Sequence, residues 1–269
     1  MSMQQTHLTP EVTSRQVRDR LAATVRSYES VTRRLLPTQC FTVIRVDGKA
    51  FASYTAGLHK PFDEVFADDM DETALTLAEQ TQGAVAVYVV SDEISLVLTD
   101  MTSANAQPAF GGVEAKLVSL TAALATVRFN RHRDLQHPGL FDARVFTLPD
   151  ENAVREYLAY RQSDGIRNAV SMLARHSYGP EGIKGVGVRT LLTRMEEDGH
   201  VLDDRHSLGR LGVRVQESRT VTYTHKRTGE RNTVDTISNG FRLSPAPVFL
   251  HAELELLPER NSRDLPKVG

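Results

Sequence analysis

Two apolar segments with three polar residues between them constrain this chain more than anything else in it. AVAVYVV (84–90) and ISLVLT (94–99) are rich in β-branched residues, and only Ser91-Asp92-Glu93 separates them. Runs of that length and composition read as strands, and so short a connection joins antiparallel neighbours. Around this hairpin the pattern changes period. FTVIRV (41–46) is a third strand, stopped by Asp47-Gly48, and Phe141 to Leu148 alternates like a fourth. Helical spacing appears over 12–36 (Val17, Leu21, Val25, Tyr28), from a cap at Asp63 to about Gln82, and over Val113 to Phe129. A long helix opens at Pro149-Asp150 and runs from Glu151 to about His176. A helix at 188–198 and extended segments at 211–224 and 231–237 follow, and the polar tail after Pro258 is expected to fray. Strands and helices mingle about a central hairpin, which predicts α+β with a mainly antiparallel sheet flanked by helices. The expected organisation is a domain over 1–150, then a long helix with a mixed helical and β extension over 151–269.

Chemistry gathers at the strand ends. Asp47 follows the first strand in RVDGKAF, and Asp92 and Glu93 occupy the hairpin turn. If the first strand lies beside the hairpin, three carboxylates converge at one rim of the sheet, where they repel unless something positive lies between them. Hard oxygen donors select Mg²⁺, which takes one or two carboxylates plus substrate phosphates. A pair of such ions can hold the attacking and leaving oxygens of a phosphoryl displacement. Asp-Gly and Ser-Asp-Glu are also common turn sequences, so the bland alternative stays open. Gly48 lets the backbone approach a ligand, and the amides from Gly48 through Phe51, with Lys49 beside them, can form an anion-binding concavity. Lys60, Lys116, Arg144 and Arg161 are further phosphate candidates.

Other chemistries find no support. Cys40 is the sole cysteine, which excludes an internal disulfide and a cysteine-built metal site and suits a reducing cytosol. The nine histidines show no HExxH spacing, there is no GxSxG element, and neither a Walker loop nor a credible GxGxxG is present. The longest apolar stretch, Ala84 to Val90, is too short for a membrane helix, and the first residues lack the pattern of a secretion signal. Thirty-two Lys and Arg against thirty-four Asp and Glu leave no bulk positive field. The charge is uneven, though: seven basic residues from Arg205 to Arg231 face two acidic ones, a local +5. Arg128, Arg131, His132 and Arg133 form a second knot. Either a solvated face or polyanion binding explains both.

Taken in order, RVDGKAF (45–51), HKPFDEVFADDM (59–70), SDEISLVL (91–98) and the stretch from FDAR at 141 through RQSD at 161–164 resemble the tRNA-histidine guanylyltransferase family. GGVEAKLVSLTAALAT (111–126) fits its helix with a Lys-x-x-Ser core. The likeness is to the bacterial and archaeal relatives that extend RNA in the 3′-to-5′ direction. It implies a polymerase-palm-like domain with two Mg²⁺ ions. Asp47 and Asp92 would be the metal carboxylates, helped by the Gly48 carbonyl, with Glu93 as the adjacent essential acid. Gly48, Lys49, Ala50, Phe51 and Ser91 would surround a triphosphate. Lys60, Lys116, Arg144 and Asn168 would contact nucleotide phosphates or the RNA end. The RNA face would draw on Arg128, Arg131, Arg133, Arg210, Arg214, Arg219, Lys226 and Arg227. The resemblance further implies activation of a 5′-phosphorylated tRNA or similar RNA by ATP or GTP, attack by an incoming NTP, a cytoplasmic setting and a homo-oligomer, tetramer or dimer. Where the eukaryotic enzymes carry His-Ile-Asn-Asn this chain has Ile166-Arg167-Asn168-Ala169, which favours template-dependent, repair-like addition. A palm-fold nucleotide cyclase and a non-catalytic RNA-binding protein are the alternatives.

Overall fold

The structure, a computed structural model, describes residues 14–102 and 105–257. Its centre is the expected hairpin, β2 (Ala84–Val90) and β3 (Glu93–Thr99), in which every residue is buried. A fully buried Val, Leu or Ile side chain contributes roughly 1.5–3 kcal/mol, so these two strands anchor everything else. β1 (Phe41–Gly48) lies antiparallel to β3, and β4 (Phe141–Leu148) lies antiparallel to β1 on the far side. On the other flank β5 (Arg210–Thr224) pairs with β2, and β6 (Arg231–Pro245) pairs with β5, giving the order β4-β1-β3-β2-β5-β6. All of these pairings are antiparallel.

The pleat sorts side chains to two faces. Ile44, Val46, Val87, Val89, Ile94, Leu96 and Leu98 pack with two helices, α2 (Glu64–Gln80) and α3 (Glu114–Phe129). α2 begins where the sequence places its cap: Asp63 accepts the Phe66 N–H at 2.8 Å. The opposite face carries Phe41, Val43, Tyr88, Val90 and Val97 and meets α4 (Glu151–Ile183) through Val154 and Leu158. α4 runs past the expected end at His176 and breaks at Gly179, whose φ of 70° lies in the left-handed region. The chain after β6 then returns to α4. The buried Gln162 donates to the Leu208 and Pro247 carbonyls (3.0 and 2.9 Å) and accepts the Phe249 N–H. Glu151 accepts the Leu256 and Leu257 N–H groups.

Two elements stand apart from this core. α1 (Arg15–Ser30) buries no residue, and it stops six residues short of the expected helix end. β5 touches β2 only over Arg210–Val213, so most of the β5–β6 hairpin is a two-stranded ribbon. The C-terminal half supplies two strands of the shared sheet, so the boundary near residue 150 divides the sequence but not the sheet. α5 (Val188–Glu197) closes a small third cluster with α4 through Leu191 and Met195. The tail after Pro258 lies outside the described residues.

Candidate active site

Register decides which acids meet. Asp47 sits directly across from Glu93 on β3 and from Asp142 on β4, and directly opposed residues share a face. At the same end the Gly48 N–H donates to the Asp92 carbonyl at 3.1 Å, tying β1 to the hairpin turn. Gly48 is required by crowding: a Cβ there would stand 2.4 Å from the Phe51 ring. Ser91 adopts φ 55° at the turn and donates from Oγ to Asp92 Oδ1 at 3.1 Å. Burial pushes the Asp92 carboxyl above its usual value; its own backbone N–H opposes this, and the charge of Asp47 pushes in the same direction as burial. Asp92 therefore carries the charge of Asp47 on top of its own burial, with the Ser91 hydroxyl as its side-chain partner.

Glu93, directly across from Asp47 and under its charge, is held by two arginines. Both of its oxygens are taken by Arg161 of α4, Nε to Oε1 and Nη2 to Oε2, each at 2.7 Å, and Arg45 stands 3.6 Å away. Burial lifts the Glu93 carboxyl, and Arg161, then Arg45, pull it back. Burial also opposes the Arg161 charge, but the hydrogen bonds and charge of Glu93, with Asp164 beyond, hold it above its ordinary value. The three acids expected from sequence do come to one end of the sheet, with Asp142 also across from Asp47, and Glu93 among them is held in a buried ion pair. Arg161, expected to reach phosphate, is committed to that pair and to Asp164.

Next to Asp92 opens a cleft of about 370 Å³ between α2, α4 and the short helix Asp204–Ser207. Apolar walls come from Phe62, Phe66, Met70, Val89 and Met172, with Lys60 and Arg175 bringing positive charge; Arg205 and Arg210 also line the cleft but are paired with acidic residues of α2. Of the residues expected around a nucleotide, the cleft gathers Phe51, Lys60, Ser91, Asp92 and Asn168. Lys116 on α3 and Arg144 on β4 are exposed and do not line it. The predicted concavity of amides also shrinks: the Gly48 N–H serves Asp92, and the Lys49 N–H donates to the Leu140 carbonyl at 2.8 Å. Ala50 takes φ 57° to start a one-turn helix, Phe51–Tyr54. Phe51 is buried in an aromatic cluster with Tyr54, Phe66, Phe129 and Phe141.

The basic residues expected on an RNA face divide sharply. Arg128 is bound to Glu72 and donates to Thr76 Oγ1 at 3.1 Å. Arg133 pairs with Asp69 and lies 4.6 Å over the Phe129 ring. Both are structural, because cation–π contact and an acidic partner leave little for phosphate. Arg210 pairs with Asp71 at 3.0 Å, and Arg214 donates to the Ala84 carbonyl at 2.7 Å. Arg131, Lys226 and Arg227 remain exposed, the last two at the turn of the ribbon. Arg219 lies in β5, but its side chain falls outside the described residues.

Sequence reasoning did not single out Arg175 or His206, and counted Arg205 only as the first of the basic run from Arg205 to Arg231. Arg175 follows Asn168 by two helical turns on one face of α4, a signal that was available. Arg205 reaches Glu64, Asp68 and Asp71 from the far end of the chain (2.8, 2.6 and 2.9 Å), and no local pattern announces that. His206 stacks on Phe62 at 4.2 Å and meets Glu64 at 2.9 Å.

The donor set fits magnesium. Among the described residues no three His, Cys, Asp or Glu side chains form a self-sufficient cage, and Asp47 with Asp92 offers two hard carboxylates whose repulsion a cation would relieve. That is what an ion completed by substrate phosphates needs.

Comparison with known proteins shows what part of the chain is similar to. Residues 22–149 match the family model described as Thg1, tRNAHis guanylyltransferase. The tRNA(His) guanylyltransferase of Schizosaccharomyces pombe is 33% identical over 148 residues, covering 52% of this chain and 54% of that protein. The chain spans between 25% and 65% of the length of the first curated relatives it matches. A bacterial tRNA(His) guanylyltransferase (Thg1)-like protein in complex with ATP superposes with a TM-score of 0.72 at 24% identity, over 86% of this chain and 94% of that one. A second such bacterial structure, in complex with GTP, gives 0.69 at 25% identity over the same shares.

Proposed function

We propose, starting from residues 22–149 as a domain of the tRNAHis guanylyltransferase family, that this protein adds nucleotides to the 5′ end of tRNA or similar 5′-phosphorylated RNA. Addition runs in the 3′-to-5′ direction, reads a template strand as in repair, and follows activation of the 5′-phosphate by ATP or GTP. The observation that carries this reading is Asp92, under the charge of Asp47, on the wall of a cleft that combines apolar side chains with Lys60 and Arg175. Such a cleft suits a nucleoside triphosphate, its base against apolar walls and its phosphates toward charge. ATP and GTP in the two bacterial neighbours support that occupant.

In this scheme Asp47 and Asp92, with the Gly48 carbonyl, hold two Mg²⁺ ions. Bound magnesium would supply charge neutralisation and polarise phosphoryl oxygens. The protein's own part is positioning. Lys60, whose Nζ donates to the Thr55 carbonyl at 2.7 Å, presents its charge at the cleft wall, and Asn168 faces it from α4. Ser91 orients Asp92. Holding an NTP hydroxyl and an RNA phosphate together supplies much of the rate in such a reaction. We place the protein in the cytoplasm, in keeping with a free Cys40, as a homo-oligomer, dimer or tetramer. The exposed Leu21, Val25, Tyr28 and Val31 at α1 support self-association.

The test uses purified protein, labelled NTPs and 5′-monophosphorylated tRNAs lacking their first nucleotide. Nucleotides complementary to the opposite strand should be added, and Asp92→Ala should abolish addition while leaving the fold intact. Undiminished addition by that variant would end the proposal. NTP turnover without RNA would point to a cyclase instead.

A further inference from the structure

The hairpin turn carries two adjacent acids with opposite surroundings. Asp92 lines the cleft and feels the charge of Asp47, whereas Glu93 is 7% exposed and gripped by a two-pronged guanidinium. Arg161 spends three donors at once, two on Glu93 and Nη1 on Asp164 at 2.6 Å, and Arg167 binds Asp164 from the other side. Its guanidinium also lies 5.3 Å from the Tyr160 ring. A planar fork held at every prong has little freedom to turn. One turn along α4, Gly165 lets the helix meet the hairpin closely, since a Cβ there would stand 2.5 Å from Val90 Cγ2. One turn before, Tyr157 shares a hydrogen bond with Ser95 at 2.8 Å. Three contacts spaced along one helix face thus bind α4 to β2, β3 and the turn between them.

We infer that Arg161 is a positioning residue, which clamps Glu93 against α4 and thereby holds the Ser91-Asp92 turn where Asp92 meets the Asp47-Gly48 end of β1. Arg161 touches neither substrate nor ion in this account; it acts through the turn. The clamp also balances the charge of Glu93, which lies across from Asp47, with Arg161 and Arg45. Removing the fork leaves a buried carboxylate without its partner, a strongly destabilising change, so a second variant is needed that removes both charges. The inference rests on the nucleotidyl-transfer reading only for what Asp92 is presented to.

The experiment compares the full chain with Arg161→Lys, Arg161→Met and the double variant Arg161→Met/Glu93→Gln. Two readouts are taken: Mn²⁺ affinity in the presence of GTP, by electron paramagnetic resonance, and amide exchange at Gly48, whose N–H reports the Asp92 carbonyl without any metal. The double variant should recover the thermal stability lost in Arg161→Met. It should still bind Mn²⁺ about 10-fold more weakly than the wild type, the usual cost of losing an outer-shell partner, and exchange Gly48 faster. Arg161→Lys, which keeps charge without the fork, should fall between. Wild-type affinity or tighter binding in the folded double variant, or unchanged protection at Gly48, would overturn the inference. Tighter binding in Arg161→Met, which keeps Glu93, would overturn it as well, by showing that Arg161 restrains Glu93 from being a ligand itself. A wild-type chain that binds no Mn²⁺ would instead sink the nucleotidyl-transfer reading, and Gly48 exchange would then decide the role of Arg161 alone.

Discussion

The hairpin end of the sheet and the β5–β6 ribbon are built from the same kind of element, a two-stranded antiparallel pair, and they do opposite things. β2 and β3 are buried along their whole length and pinned by strands on both sides. The ribbon leans on β2 through four residues and leaves Val221, Tyr223 and Val234 exposed. At the first, register fixes charges to within one residue, so Asp47 must meet the turn. At the second, fifteen residue pairs form a ladder with little packed against it, and a lone two-stranded hairpin is marginal in water. A charge at the end of a buried strand is therefore placed by the core, whereas a charge on a ribbon is only carried by it.

That contrast can be broken by substitution, and the largest effect is expected at the rim. Asp92→Asn should lower nucleotide addition roughly a thousandfold, equivalent to about 4 kcal/mol of lost charge stabilisation. The same variant should raise the thermal midpoint of the metal-free protein. Burial and Asp47 lift the folded pKa of Asp92 above its unfolded value. Between those two values the folded state binds more protons than the unfolded state, so Asp92 makes stability fall as pH rises through that window. Asn removes this loss, and thermal melts at pH 3 to 8 should show a flatter profile; an unchanged profile would refute the coupling. Next in size is Leu96→Ala in β3, which should cost about 2–5 kcal/mol, while Val221→Ala on the ribbon should stay within about 0.5 kcal/mol. Equal losses in urea unfolding would erase the distinction between the two hairpins. Gly165→Ala forces α4 away from Val90 and should cost about 1–3 kcal/mol in the same assay. The smallest effect on the fold is expected from Lys226→Ala or Arg227→Ala at the ribbon turn. Each should leave stability unchanged and, if the ribbon touches RNA, reduce the salt slope of RNA binding by about 0.7–0.9.

The same contrast explains what could be read from sequence. β1 to β4 stand within a residue or two of their expected limits, because turn residues and apolar runs bound them locally. Asp63 announces its helix by capping chemistry that operates over three residues. β6 runs on to Pro245 instead of ending near 237, where its long partner strand holds it extended. The candidate site divides along the same line. Asp47 and Asp92 are legible because each ends a strand. The clamp on Glu93 depends on Arg161, 68 residues away, and the Arg205 network spans more than 130; no local pattern encodes either. Arg128 and Arg133 looked like an RNA-facing knot because charge in a sequence does not reveal its partners, here Glu72 and Asp69 on a neighbouring helix.

The most direct measurement is a crystal structure of the full chain grown with Mn²⁺ and GTP, read by anomalous scattering. The account predicts manganese bound jointly by Asp47 and Asp92, with Glu93 still forked on Arg161. Manganese on Glu93 with Arg161 displaced, or GTP bound with no metal at the Asp47–Asp92 pair, would contradict it.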